Sequence, residues 1–414
     1  MSSITTAVSR RLQHSAFVAL TVPNFRLYFL TQLVSISGTW MQKVAHGWLV
    51  FYLTRSELWL GLVACAAGIP ALLLSPFAGV VVDRFSKRQI LIFTQSAQMT
   101  LAFVLAVLVF ADTVQVWHIV LLSFLSGTMD ALDAPARQSF IVELVGREYL
   151  TSGITLNSIV FNIARIFGPT AAGIALVNWG AGWCFFLNGL SFLAVIAGLI
   201  IMDIAHRAPP VRKAGFWQQL SQGLRYSRDH AVIGPILLLS MMSSIFVVNM
   251  MTLMPAFADL VLNSPKEGFA TLSAAHGLGA VAAGLLVTWL HERFKRGVIV
   301  ASMCILTPAL LFAISITSSL WLSALVIAFI GFSIILQFIT MNTIIQTSVP
   351  DEFRGRILSL YTLTFFGIAP LGALVLGFVA DQIGTTNALA LYALLGGILS
   401  SIIVRYSPAL QQAA

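Results

Sequence analysis

The sequence predicts an all-α membrane protein of twelve transmembrane helices, arranged as two pseudo-symmetric six-helix bundles. Three observations carry that prediction. Only 9% of the 414 residues are charged while 58% are hydrophobic, so the chain cannot cover a globular surface with polar groups as soluble domains do. Uncharged runs of about 20 residues or more, the length that crosses a bilayer, recur along the whole chain. The longest polar interruption falls at its middle, over 204–230.

Taken in order, the first half has runs at 27–53, 58–82, 89–111, 115–136, 151–177 and 181–203. The second half has 231–258, 268–290, 297–316, 320–346, 356–380 and 386–405. Two pairs are fused into longer apolar stretches and divide at Asn178–Gly182 and Thr317–Ser319, where turn-formers gather. Residues 1–203 are thus expected to form one bundle, 204–230 a cytoplasmic linker, and 231–414 the second bundle. The linker contains Pro209 and Pro210, then Phe216–Asp229, in which Phe216, Leu220, Leu224 and Tyr226 alternate with Gln218, Gln222, Arg225 and Arg228. That pattern fits an amphipathic helix on the inner membrane surface, and a solvated linker fits it equally.

The formal net charge is +8. When loops are assigned alternately to two sides, all but four of the 23 Lys and Arg residues fall on the side of the termini. The exceptions are Arg55 and Lys266, on the other side, and Lys43 and Arg165, within spans. Cationic loops stay in the cytoplasm, which places both termini inside a bacterial inner membrane. The basic balance is therefore a topology signal, and its dispersal over many loops argues against nucleic acid. Residues up to Asn24 carry no short apolar core with a cleavage site, so the first span is expected to direct insertion itself. Cys65, Cys184 and Cys304 sit in apolar stretches and suit packing rather than disulfides or metal. Phosphate-loop, nucleophile-elbow and zinc-protease motifs are missing from the sequence, so neither an enzyme nor a cofactor is expected.

Gly79, Asp83, Arg84, Lys87 and Arg88 occupy the loop after the second span, and Glu292 to Gly297 repeat the pattern weakly after the eighth. Their spacing is similar to the loop motif G-x-x-x-D-R-x-G-R-[RK] of the major facilitator superfamily, with Ser86 and Lys87 as departures. An acid there can face the positively polarised N-terminus of a neighbouring helix, while the cations pair with acids on the fourth span. Such a cluster would hold one conformation and break in the other.

A longer stretch runs from Asp133, Pro135, Arg137 and Gln138 through Glu143, Leu156, Asn157, Ser158, Asn162 and Arg165 to Gly168, Pro169, Ala172 and Gly173. With Trp40-Met41-Gln42 and Arg354-Gly355-Arg356, it resembles the enterobactin-exporter-like branch of that superfamily, the transmembrane secretion effectors. The resemblance covers nearly the whole chain. It implies a secondary active transporter that exports siderophore-like, drug-like or other small amphipathic molecules by alternating access, with proton antiport as the energy source. Uptake or facilitated diffusion on the same fold, a lipid or lysolipid flippase, and a non-transporting membrane partner are the alternatives. Expected partners are a small-molecule substrate, the lipid bilayer and, as a candidate, protons, with a monomer as the working unit. Gly168-Pro169-x-x-Ala172-Gly173 is similar to the antiporter motif of the fifth span, although the preceding glycines are missing. Proline bends a helix and small residues let a neighbour approach.

Ionisable groups at membrane depth cost about 2.5–3.5 kcal/mol on insertion scales and usually face a cavity or a partner. Ser158, Asn162 and Arg165 stand at i, i+4 and i+7, one helical face, expected to line the central cavity with Lys43. Arg165 pairs with Asp130, binds an anionic substrate, or forms a structural ion pair. Asp133 lies close to Arg137 and suits a structural pair. His46 and His276 suit packing, and Gln95, Gln98, Asn249, Gln337 and Asn342 are further cavity candidates. Many relatives carry an acid near Thr39. With a hydroxyl there in this chain, Asp130 is the remaining candidate proton carrier.

Overall fold

A computed structural model describes residues 17–146, 148–203 and 216–413. Linker residues 204–215 and Arg147 lie outside the described residues, as does the side chain of Asp83. The first half folds into α1 (Pro23–Thr54), α2 (Glu57–Arg84), α3 (Lys87–Phe110), α4 (Val116–Val145), α5 (Leu150–Asn178) and α6 (Ala181–Ile201). The amphipathic segment is α7 (Phe216–Asp229). The second half folds into α8 (Ile233–Leu260), α9 (Glu267–Arg293), α10 (Arg296–Ser315), α11 (Leu320–Ser348), α12 (Glu352–Ile383) and α13 (Thr385–Arg405). Among the described residues there is no strand.

Eleven of these helices are long and apolar enough to cross a membrane. The twelfth long helix, α1, has 32 residues, and its Gln32, Gln42, Lys43 and His46 dilute its apolar character. Large apolar side chains such as Leu285 and Trp321, each 77% exposed, face outward, as lipid-solvated helices require. α4 continues to Val145, past the expected end at 136, because Arg137 is neutralised inside the fold instead of marking a loop.

The two halves share two features. The third helix packs on the sixth in each, α3 on α6 and α10 on α13. The turn before each sixth helix hinges on a glycine with positive φ, Gly180 at +87° and Gly384 at +85°, with extended ψ that side chains rarely tolerate. Compact grouping follows other lines. One unit holds the described parts of 1–45, 74–114 and 125–211, and the other those of 46–73, 115–124 and 212–414. The first is centred on Phe25, Tyr28, Leu91, Phe140 and Leu156, the second on Ile236, Val300, Ile344, Leu360 and Tyr361.

Two wide π-turns, over Ser244–Val248 in α8 and Leu363–Gly367 in α12, are not visible in the apolar pattern. A wide turn disturbs the regular hydrogen-bond ladder, and the carbonyls it leaves must find partners within the protein. Ser244 Oγ donates to the Phe365 carbonyl at 2.7 Å, and Asn249 Nδ2 donates to the Ser244 carbonyl at 2.7 Å. Ser240 and Thr364 hydroxyls meet at 2.6 Å. Serines and an asparagine inside apolar runs were the available sequence signal.

Helix crossings in the second unit depend on missing side chains. A Cβ on Gly279 would lie 1.7 Å from the Ala328 carbonyl oxygen, and one on Gly331 would lie 2.2 Å from that of His276. Small residues of this kind let α9 and α11 touch backbone to backbone. Gly284, on the same helix, has nothing within 4 Å of its would-be Cβ. Gly279→Ala is therefore expected to cost about 1–3 kcal/mol through overpacking. Gly284→Ala should be neutral or stabilising through helix propensity. Thermal unfolding of the purified variants in detergent checks both.

Candidate functional site

The polar face of α5 is built as its spacing requires. Ser158 is exposed, while Asn162 and Arg165 are half-buried. Ser158 Oγ donates to the Ile154 carbonyl at 3.0 Å, and Asn162 Nδ2 donates to that of Ser158 at 2.9 Å. Both side chains thus lean on their own helix and keep acceptor oxygens turned outward.

Three residues after Arg165, Gly168 brings α5 against α1. A Cβ there would lie 2.4 Å from Trp40 Cβ and 2.7 Å from the Ser37 carbonyl oxygen. Pro169 and Ala172 are buried beside this crossing, with Gly173 half-buried, and α5 continues through Pro169 to Asn178. The crossing seats Trp40, whose ring packs on Ile36, Val160 and Ala164. The Arg165 guanidinium lies 5.2 Å from the Trp40 ring centroid, and Lys43 Nζ, on the same helix as Trp40, lies 4.8 Å from it. The helix-packing motif and the two cations form one structure within the first unit.

The pair between Arg165 and Asp130, one of the alternatives for Arg165, does not form. Asp130 is exposed and accepts from Gln98 Nε2 at 2.9 Å, while Gln98 Oε1 accepts from the Ser126 hydroxyl at 2.7 Å. Trp40 covers Arg165, and a neutral amide from α3 reaches the acid instead. Lys43 interacts with Asp130 through charge alone. Arg165 Nε is buried without a hydrogen-bond partner.

Asp133 has the opposite fate. Its Oδ1 accepts from Thr94 Oγ1 at 2.9 Å and Gln95 Nε2 at 2.8 Å, and its Oδ2 from Arg137 Nε at 3.0 Å. Arg137 also donates to Gln32 Oε1. Gln32 and Thr94 were not singled out by sequence reasoning; their signal was a polar side chain in an otherwise apolar run. The saturated carboxylate is part of the framework, not of the accessible face.

The loop cations split their work. Lys87 Nζ pairs with Glu143 Oε1 of α4 at 3.2 Å, an acid beyond the expected end of the fourth span. Arg88 instead donates from Nε and Nη2 to the carbonyls of Leu199 and Ile200, both at 2.6 Å. These are the unpartnered carbonyls that end α6, where a cation also meets the negative end of the helix dipole. Arg84 is exposed, and a Cβ on Gly79 would meet nothing within 4 Å.

A second polar cluster, missed by sequence reasoning, lies in the second unit, at the end of α2 away from this loop. Ser56 Oγ donates to Asp381 Oδ1 at 2.6 Å, and Thr385 Oγ1 donates to buried Glu57 Oε1 at 2.7 Å. Arg55 pairs with Asp259. Each carboxylate of the first two contacts sits at the N-terminal end of a helix, Asp381 at α2 and Glu57 at α13, where a negative charge is favoured. A Cβ on Gly61 would lie 2.6 Å from the Ala373 carbonyl oxygen. The other candidates serve as ties: His46 Nε2 lies 3.3 Å from Ser123 Oγ, Gln337 Nε2 donates to Ser243 Oγ at 2.8 Å, and Asn342 accepts from Gln346.

Asp133→Asn leaves Arg137 buried and uncompensated, so it is expected to destabilise the protein by about 3–5 kcal/mol. Combining it with Arg137→Gln should recover much of that loss, as a double-mutant thermal-unfolding cycle would register.

A family model described as transmembrane secretion effector matches residues 14–413. The Staphyloferrin A transporter of Staphylococcus aureus is 24% identical over 373 residues, covering 88% of this chain and 92% of the relative. The multidrug efflux pump Tap of Mycolicibacterium fortuitum is 25% identical over 399 residues, covering 92% and 95%. The crystal structure of nucleoside transporter NupG matches with a TM-score of 0.76 at 12% identity, over 92% of this chain and 98% of that one, a likeness of fold. An all-helical chain whose spans hold paired framework ions and an accessible charged face, matched by this model over almost its full length, belongs to the transmembrane secretion effector family of major facilitator transporters.

Proposed function

We propose that this transporter exports small amphipathic molecules from the bacterial cytoplasm by alternating access, working as a monomer. In this reading α1 is the twelfth span, both termini are cytoplasmic, and the halves 1–203 and 231–414 are the moving bundles joined by the linker 204–230. The observation that carries it is the contrast within the first unit. Framework ions are paired off, Asp133 with Arg137 and Lys87 with Glu143, whereas Lys43, Arg165 and Asp130 have no such partner and share an accessible region. Ions held at depth without partners are costly, and function is the usual reason for them. Relatives named as a Staphyloferrin A transporter and a multidrug efflux pump support small-molecule transport and export. Asp130, held by a neutral amide, is the group we assign to carry a coupled proton.

Counterflow in proteoliposomes with a panel of siderophores, dyes and lysolipids, with and without an imposed pH gradient, tests the reading. Accumulation of a siderophore or dye is expected, and accumulation of lysolipids alone would replace it with a flippase. Should the gradient still drive transport in Asp130→Asn, Asp130 loses its assigned role.

The Glu57, Asp381 and Asp259 contacts then lie at the periplasmic end and latch it shut. A cysteine introduced at Ala373, which is 2% exposed against Gly61, should react slowly with a membrane-impermeant maleimide. Adding Glu57→Gln and Asp381→Asn should speed labelling about fivefold or more, the equivalent of roughly 1 kcal/mol lost from the closed state. Unchanged labelling would make these contacts incidental.

A further inference from the structure

Among the charged groups of the first unit, Lys43 and Arg165 are unusual in leaning on an aromatic ring and on no carboxylate within ion-pair distance. Their ring distances of 4.8 and 5.2 Å bring both cations to one indole, so they are no farther apart than those two distances laid end to end. A cation over an indole is attracted by the ring's negative face, which does not replace an acceptor for a guanidinium with five N–H donors. Arg165 shows the deficit directly, since its Nε is buried with no hydrogen-bond partner. The acids nearby do not fill it. Asp133 is saturated by Thr94, Gln95 and Arg137, and Asp130 is engaged by Gln98. The region therefore holds two cations against one accessible acid.

We propose that Lys43, Arg165 and the Trp40 indole they share form a recognition site for the anionic group of a small amphipathic substrate, a carboxylate, phosphate or sulfonate. Arg165 supplies planar donors suited to a two-oxygen acceptor, and Lys43 supplies an exposed ammonium. Trp40, with Ile36, Val160 and Ala164 behind it, supplies an apolar wall for the rest of the molecule. Gly168 is the positioning residue. Any side chain there would strike Trp40 Cβ and shift the ring on which both cations rest. The site rests on the transport reading above and adds a charge class to it: anions are taken and cations repelled.

The test is calorimetric titration of the purified full-length protein in non-ionic detergent with 2-naphthoate, 2-naphthamide and 2-naphthylmethylammonium, which differ in charge on one ring system. Naphthoate should bind about tenfold or more tightly than the other two, the worth of one charge-assisted hydrogen bond. Lys43→Gln and Arg165→Gln should each remove most of that preference and leave the amide unchanged, while Arg165→Lys should keep part of it. Lys43 is exposed, so Lys43→Gln remains informative if Arg165→Gln misfolds. Equal binding of the three probes, no binding of naphthoate, or an unchanged preference in Lys43→Gln would overturn the site. Displacement of naphthoate by equimolar phosphatidylglycerol would also overturn it, by making the occupant a lipid headgroup. Counterflow of the same probes separates the two readings. Equal transport of all three leaves export standing without the site, and anion-selective binding without any counterflow leaves the site standing without export.

Discussion

Hydrocarbon does not hydrate ions or backbone carbonyls, so every polar group carried into it must be met by another part of the protein. This chain meets that demand in distinct ways. Asp133 and Arg137 bring three further contacts, one each from Gln32, Thr94 and Gln95, with them into the first unit. Arg88 spends its guanidinium on the open end of α6. The π-turns of α8 and α12 are tied by Ser244 and Asn249. Once these are accounted for, Lys43, Arg165 and Asp130 are left without an ion pair among the described residues, and they define the accessible face.

Hydropathy is a one-dimensional property, and what depended on it was legible. Except for α4, which runs on to Val145, helix ends fell within a few residues of the expected ones, and the fused runs broke near Gly180 and Ser319, where turn-formers stand. Partner choice is three-dimensional and was less legible. Asp130 and Arg165 were natural partners on a list of charges, but a list does not contain the Trp40 ring that covers one or the Gln98 amide that reaches the other. Arg88 is a similar case: its partners are main-chain carbonyls about 110 residues away, and no sequence pattern marks them. The face of Ser158, Asn162 and Arg165 was legible because helical spacing alone places them together.

Glycine use connects packing to the site. At Gly279 and Gly331 the missing side chain lets two helices of the second unit touch, a role in stability. At Gly168 the same device sets the height of Trp40, and through it the positions of two cations. At Gly61 it brings α2 against the Ala373 carbonyl beside the Glu57 and Asp381 contacts. One physical property, the absence of a Cβ, therefore serves the framework, the site and the latch, and the distances decide which.

The charge of the substrate and the source of energy constrain each other. Lys43 and Asp130 interact through their charges, so a proton on Asp130 releases Lys43 to an anion. By reciprocity of linkage, a bound anion favours the proton by the same factor. Proton and anion then bind together, which is the sign required for co-transport, whereas exchange requires that they compete. A cationic substrate would compete with the proton, but it is the class that Lys43 and Arg165 repel. An anion leaving alone gains about 2.3 kcal/mol per charge per 100 mV from a negative interior, whereas one leaving with a proton on Asp130 crosses as a neutral pair and gains nothing from the potential. Anion recognition at Trp40 thus makes the protonation of Asp130 during the crossing the step that decides whether the pH gradient or the potential biases transport.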